Sequence, residues 1–393
     1  MNSGKNSSPL GRLGGALYIH IPFCKQACYY CDFHFSTSIK KKNELVLALV
    51  KELELRKGEL NEVIETIYFG GGTPSLLTID ELLLIIQTIY KHYKVSEKPE
   101  ITLEANPDDL THQKIIDLAN TPINRLSIGI QSFFNDDLKS MNRAHNAQEA
   151  KDSLNVAVKY FDNITIDLIY GIPNMSLEKW SENLNMAFDF GVNHISSYAL
   201  TVEPKTALDS LIKKGMYPPV DESLALQHFN HLIDKTEQEG FVHYEISNFG
   251  KPGYFSKHNT SYWEGKPYLG IGPSAHSFQS NQRSWNVSNN TKYLESIRNH
   301  ILPSKLEYLS VNDRYNEYIM TGLRTIWGVS LHKIERDFGS EYRDYLKSSS
   351  KKFIEQGLLE TIPSKTSIKD EIIKTTQKGK FLVDGIASDL FQV

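Results

Sequence analysis

A chain of 393 residues with 43 basic and 47 acidic side chains has a formal charge of −4, which excludes a uniformly basic surface built to coat a polyanion and points to no nucleic-acid partner. No run of about 18 consecutive apolar residues and no short apolar segment behind a basic start is present, which excludes a membrane span and a secretory leader while leaving peripheral membrane association open. All three cysteines lie in FCKQACYYC (23–31), too few and too close for a disulfide framework, so the expected setting is a reducing cytoplasm.

The opening MNSGKNSSPLGRLGG (1–15) is Gly/Ser-rich and reads as a mobile tail. Six β-rich runs follow: ALYIHIPF (16–23), TIYFGGG (66–72), EITLEANP (100–107), RLSIGIQSF (125–133), NITIDLIYG (163–171) and HISSYALTVEP (194–204). Between them NELVLALVKELELRK, IDELLLIIQTIYKHY, HQKIIDLAN, AQEAKDSLNVAVKYF and LEKWSENLNMAFDFG carry apolar residues near the helical period, with lengths that suit strand-to-strand crossovers. Six βα units imply an α/β fold with a parallel sheet covered by helices. The unusual residues fall at or just past the strand C-terminal ends: the cysteines, GGGTPS, Glu104 and Asn106, Gln131, Asp167 with YGIP, and Glu203-Pro204. Barrel enzymes build their sites there. Six units fall short of eight, so the expected fold is an incomplete (β/α)6 TIM-like barrel with an open side; an open doubly wound sheet is the alternative. After residues 301–310 the pattern turns helical, with VNDRYNEYIMTGLRTIWG and LHKIERDFGSEYRDYLKSSSKKFIEQG, then LLETI and GKFLVDGIASDLF. The expected division is a tail at 1–15, a core with its extension at 16–300, and a small mostly helical C-terminal domain at 301–393.

Cysteines spaced C-x3-C-x2-C on a post-strand loop can converge on one centre. Zinc would take His34 as fourth ligand, giving C-x3-C-x2-C-x2-H and a structural binding module. An iron–sulfur cluster held by three thiolates would leave one iron open to an exogenous ligand.

The loop, followed by YFGGGTPS and by GIQSF, NRAH, DLIYGIP and KGKFLVDGIASDLF, resembles the radical S-adenosylmethionine family from about Ala16 to the C-terminus. Within it the chain is similar to the branch containing oxygen-independent coproporphyrinogen III dehydrogenase and the HemW-type heme chaperones. The resemblance implies that Cys24, Cys28 and Cys31 hold a [4Fe-4S] cluster whose open iron takes S-adenosylmethionine. It assigns Tyr18, Tyr30, Gly71, Gly72, Thr73, Glu104, Gln131, Arg143 and Asp167 to that cosubstrate, with the Arg143 guanidinium suited to a carboxylate. Glycine at 71 and 72 would permit close backbone approach, although a plain strand-to-helix turn would use the same residues.

Two departures from the dehydrogenase pattern favour the chaperone: Phe33 stands where a fourth cysteine would continue C-x3-C-x2-C-x-C, and only residues 1–23 precede the first cysteine. In HNTSYW, His258 is the implied heme anchor, with Tyr262 and Trp263 as porphyrin contacts and His276 as a rival ligand; a hydrogen-bonded loop cluster is the alternative for His258. The implied function is a chaperone that delivers heme to an acceptor protein the sequence does not identify. The C-terminal part implies a helical cap with a β-hairpin; its basic residues are interleaved with acids, which disfavours a winged-helix DNA binder.

Overall fold

The computed structural model describes residues 14–364 and 370–393, so most of the anticipated 1–15 tail lies outside the described residues. The six anticipated runs form β1 (Gly15–Ile21), β2 (Ile64–Gly71), β3 (Val95–Ala105), β4 (Arg125–Gln131), β5 (Asn163–Tyr170) and β6 (His194–Ala199). Along each, apolar residues such as Leu17, Ile67, Leu103, Ile128 and Ile166 are buried and alternate with polar ones, and alternation sends the two sets to opposite faces. The register lines up the polar set across strands: Tyr68 faces Thr102, Thr102 faces Arg125, Ser127 faces Thr165, and Asp167 faces Ser196. Parallel strands covered on both sides normally read as continuous apolar runs. A polar inner face therefore marks a sheet that lines a site.

The strands pair in the order β1-β2-β3-β4-β5-β6, all parallel. A doubly wound sheet must reverse its order at a switch point. Consecutive order with crossovers of one hand instead puts every helix on one side, which is the incomplete barrel. Two of the barrel's helix starts are written in the sequence as capping boxes, Thr78 with Glu81 and Asn146 with Glu149.

The sheet continues beyond both barrel edges. Next to β6 lie β7 (Val242–Glu245) and β8 (Asn248–Gly250), in the order β6-β8-β7. Next to β1 lie β9 (Tyr268–Ile271), β10 (His276–Gln279), β11 (Gln282–Asn286) and β12 (Ser304–Tyr308). Since β9 runs parallel to β1, the barrel has a seventh parallel strand beyond the six expected. β12 and β7 are the two ends of this 12-stranded sheet, so it stays open. The C-terminal region carries β13 (Val329–Ser330), β14 (Leu359–Pro363) and β15 (Glu371–Thr375) in a separate sheet with β15 in the middle. Its helices 311–323, 331–338, 340–355 and 383–389 share a second core around Tyr315, Ile319, Leu346 and Ile386. Among the described residues no helix is long and apolar enough to cross a membrane.

Besides the pairing of β9 with β1, a buried carboxylate fastens the β9–β11 extension to the barrel. Glu52, in the first crossover helix, is fully buried and accepts from Arg56 at 3.2 Å, Asn286 at 2.7 Å, the Gly272 amide at 2.8 Å and the Tyr293 hydroxyl at 2.6 Å. Arg56 in turn donates to the Gly270 carbonyl at 2.8 Å. Removing one partner of a buried pair strands the other charge, which typically costs about 3–5 kcal/mol. Glu52→Ala is expected to lower unfolding free energy by about that amount in denaturant titration, and Glu52→Gln by less, because the amide oxygen still accepts.

Candidate functional site

The cysteine loop leaves β1 and is closed at its base by two backbone bonds, Cys24 N–H to the Ser36 carbonyl at 3.1 Å and Ser36 N–H to the Pro22 carbonyl at 2.9 Å. Its far side is stitched to the turn that carries NRAH. Gln26 donates to the Asn142 carbonyl at 3.0 Å and to Oδ1 at 2.9 Å, Asn142 donates back to the Ala27 carbonyl at 2.7 Å, and Tyr29 N–H donates to Met141. Asn142 reaches this position with φ at 57°, a region asparagine tolerates. Lys25 pairs with Asp108 and Asp109 past β3. The loop is thus held by its own base and by two neighbouring segments before any metal arrives.

Cys24, Cys28, Cys31, Tyr30, Gly71, Gly72, Thr73, Glu104, Gln131, Arg143 and Asp167 all line one cavity of about 460 Å³ at the C-terminal ends of the strands. Arg143 is its centre. One terminal nitrogen donates to Cys28 Sγ at 3.3 Å and lies 3.5 Å from the Tyr30 hydroxyl; the other donates to Asn106 Oδ1 at 2.7 Å and the Gly129 carbonyl at 3.0 Å. Its Nε is buried without a partner. Glu104 accepts from the Tyr68 hydroxyl at 2.8 Å and the Gly71 amide at 3.1 Å. Burial, reinforced by the Asp167 charge, pushes Glu104 up to about 7 despite those bonds. Burial likewise lifts Asp167 to about 6, opposed by Arg143 and Arg125 and by the Ser196 and Ser127 hydroxyls. Gln131 takes φ 64°, unusual for a glutamine, at the strand end where its amide enters the cavity.

The glycines serve the protein's own packing first. A Cβ on Gly72 would lie 2.6 Å from the Phe23 carbonyl oxygen, and one on Gly71, where φ is 110°, would meet the His20 ring at 2.5 Å. Their bareness lets the β2 end press against the root of the cysteine loop while still lining the cavity.

Three thiols on one loop that line a single cavity fit the three-thiolate ligation of an iron–sulfur cluster. Burial pushes the Cys24 thiol up, and the Cys31 thiol up to about 11, so protons leave only as metal binds. His34, the fourth ligand of the zinc reading, donates from Nε2 to Asn290 Oδ1 at 2.8 Å and lines a different cavity.

That second cavity, of about 960 Å³, lies between the β9–β11 extension and the helix 311–323. Tyr262, Trp263 and His276 line it, as does Tyr18, which the structure places here rather than among the other cosubstrate candidates. His258 lines neither cavity: it is 1% exposed, with Nδ1 2.8 Å from the Thr66 hydroxyl and Nε2 2.8 Å from the Tyr262 hydroxyl. That is the hydrogen-bonded cluster the sequence left as its alternative. Phe33 lines both cavities. Asn106, noted at the strand end but given no role, joins Arg143 to the Thr73 hydroxyl at 3.2 Å; residues that motif reading passed over are Tyr68, Tyr198 and Arg125 on the inner face. The signal for them was alternation along the strands rather than any motif.

Residues 18–187 match the Radical SAM superfamily and residues 309–382 the HemN C-terminal domain. The heme chaperone HemW of Bacillus subtilis (strain 168) is 32% identical over 372 residues, covering 93% of this chain and 96% of that protein. The heme chaperone HemW of Lactococcus lactis subsp. lactis (strain IL1403) is 33% identical over 382 residues, covering 94% and 97%. In fold, the chain superposes on coproporphyrinogen III oxidase (HemN) from Escherichia coli, a radical SAM enzyme, with a TM-score of 0.81 at 21% identity, covering 96% of this chain and 90% of that one. Identity sustained along nearly the whole length is decisive: this chain belongs to the HemW family of the radical S-adenosylmethionine superfamily.

Proposed function

We propose that this protein is a heme chaperone, which binds heme, carries a [4Fe-4S] cluster with S-adenosylmethionine, and delivers heme to an acceptor protein. The observation that carries the reading is the presence of two adjoining cavities of different character. The smaller is polar and holds the three thiols; the larger is walled by tyrosine, tryptophan and phenylalanine and falls near the top of the about 300–1,000 Å³ typical of cofactor sites. Family membership supports it, since the HemW proteins it matches are named heme chaperones.

Cys24, Cys28 and Cys31 would hold the cluster and leave one iron for the cosubstrate. When bound, the pair supplies one-electron reductive chemistry at a sulfonium. The protein's part is a matched set of charges. Arg143, with its orphaned Nε, offers an unspent donor for a carboxylate, and Glu104 and Asp167, both raised by burial, gain from an ammonium that favours their charged forms. Thr73, Gln131 and Tyr30 border the same space.

The competing reading is oxygen-independent coproporphyrinogen dehydrogenase, favoured by the HemN fold likeness. Phe33 weighs against it. Anaerobically reconstituted protein is expected to contain iron and inorganic sulfide in equal amounts, to take up hemin, and to leave coproporphyrinogen III unconverted. Formation of protoporphyrinogen with 5′-deoxyadenosine would replace the chaperone reading by the dehydrogenase, and zinc without sulfide would remove both.

A pH prediction follows from Glu104. Its carboxyl sits at about 7 in the folded protein against an ordinary 4.5, so the folded state keeps a proton the unfolded state has lost. Stability of the metal-free protein therefore falls as pH rises from about 4.5 to 7, and the loss persists above that window. For this buried group the difference corresponds to about 3 kcal/mol. Relative to wild type, Glu104→Gln is expected to gain stability between pH 4.5 and 8 by up to that amount in denaturant titration.

A further inference from the structure

We propose that His276, and not His258, is the side chain that meets the iron of a bound heme, and that Arg314 holds the macrocycle's carboxylates in the same cavity. The inference rests on the heme-binding reading above and gives it an orientation.

Ligation needs an imidazole nitrogen with a free lone pair facing the space that the macrocycle fills. His258 offers neither nitrogen. Both are spent inside the barrel on Thr66 and Tyr262, and Tyr262, one helical turn on, is the residue that reaches the cavity wall. Two other histidines border the cavity. His20 is spent at both nitrogens, on the Tyr18 hydroxyl at 3.2 Å and the His34 carbonyl at 3.1 Å, and His34 is tied to Asn290. His276 is exposed and stands on β10, where alternation places it on the same face as Phe278. Its ring lies against Trp285, its cross-strand neighbour, with centroids 6.1 Å apart and planes 24° from parallel. Neither of the His276 ring nitrogens has a hydrogen-bond partner among the described residues, so its edge is open. Burial and the nearby Arg283 charge lower its proton affinity, so the ring is neutral at neutral pH.

The cations in the cavity wall are not equivalent. Arg283 is paired with Glu317, and Lys333 with Asp337. Arg314, on the helix 311–323, lies over the Phe338 ring and has no carboxylate partner among the described residues; its Nε is buried without a hydrogen bond. A dicarboxylate macrocycle anchored by iron to β10 would find its charge partner there. Heme would then span the barrel extension and the C-terminal region.

The test titrates hemin into the full chain and reads affinity and the Soret spectrum. Wild type is expected to give an imidazole-ligated spectrum. His276→Gly and His276→Gln should lose it and bind about tenfold or more weakly, and added imidazole should restore the spectrum of His276→Gly. Arg314→Gln should weaken hemin binding about tenfold while leaving hemin dimethyl ester, which has no free carboxylate, unaffected. If His276→Gly and His276→Gln keep the wild-type spectrum while His258→Ala loses it, the assignment is overturned and heme binding stands. Equal weakening of hemin and its ester by Arg314→Gln overturns the carboxylate half. If wild type takes up no hemin, the heme-binding reading itself falls, and this inference with it.

Discussion

Everything at the barrel mouth is arranged around one buried guanidinium. Arg143 arrives on a turn outside the barrel, yet its terminal nitrogens reach Cys28 on one side and Asn106 and the Gly129 carbonyl on the other, which pins the cysteine loop to the ends of β3 and β4. Neutral dipoles satisfy it only in part. A buried cation without a full counter-charge is costly, and the two nearby carboxyls, which burial raises to about 7 and about 6, offset it only in part. The cavity is therefore electrostatically unfinished at two places of opposite sign. Under the proposed function a zwitterion would complete both, its carboxylate at Arg143 and its ammonium at Glu104 and Asp167, which is the charge pattern of the methionyl end of S-adenosylmethionine.

The same polar lining continues down the barrel and ties the two cavities together. Tyr68 gives its hydroxyl to Glu104 in the smaller cavity, while its ring stacks on His258 at 4.8 Å; His258 in turn bonds Tyr262, which faces the larger one. The helix that carries His258 is itself aimed by the barrel. Glu100 accepts from the Lys257 and His258 amides at 3.2 and 3.0 Å, placing a carboxylate at the positive end of the helix. His258 thus sits at the joint between two sites, where a ring bonded at both nitrogens holds Tyr262 and the start of the aromatic wall in place. A motif that associates this histidine with heme and a structure that buries it are reconciled if it positions the wall rather than touching the ligand.

How much of this was legible follows from the range of the interactions involved. The six strands and their helices could be read because period and capping are local: TIDE and NAQE announce their helices within four residues. The strand-end location of Glu104, Gln131 and Asp167 could be read for the same reason. The pairing of β9 with β1 could not, since it joins residues about 250 positions apart and YLGIG looks alike in a parallel strand and a loop. Nor could the separation of Tyr18 from Tyr30. One points along the inner face of β1 and the other lies on the loop, and nothing in the string says that two cavities lie between them. His258 misled for a related reason: a sequence shows an imidazole but not whether its nitrogens are already occupied.

Phe33 is where the two halves of the argument meet. It is 68% exposed and borders both cavities. Burying a phenylalanine side chain is worth about 1.5–3 kcal/mol, so a ligand that covers this ring gains part of that sum from the protein's own surface. A cysteine at the same position would offer a thiol at the junction of the two spaces, with the means to attack or to transfer hydrogen. A phenylalanine offers only area and shape. Under the proposed function Phe33 would make the passage between the two cavities a contact surface rather than a reactive one, which suits a protein that holds heme and releases it intact.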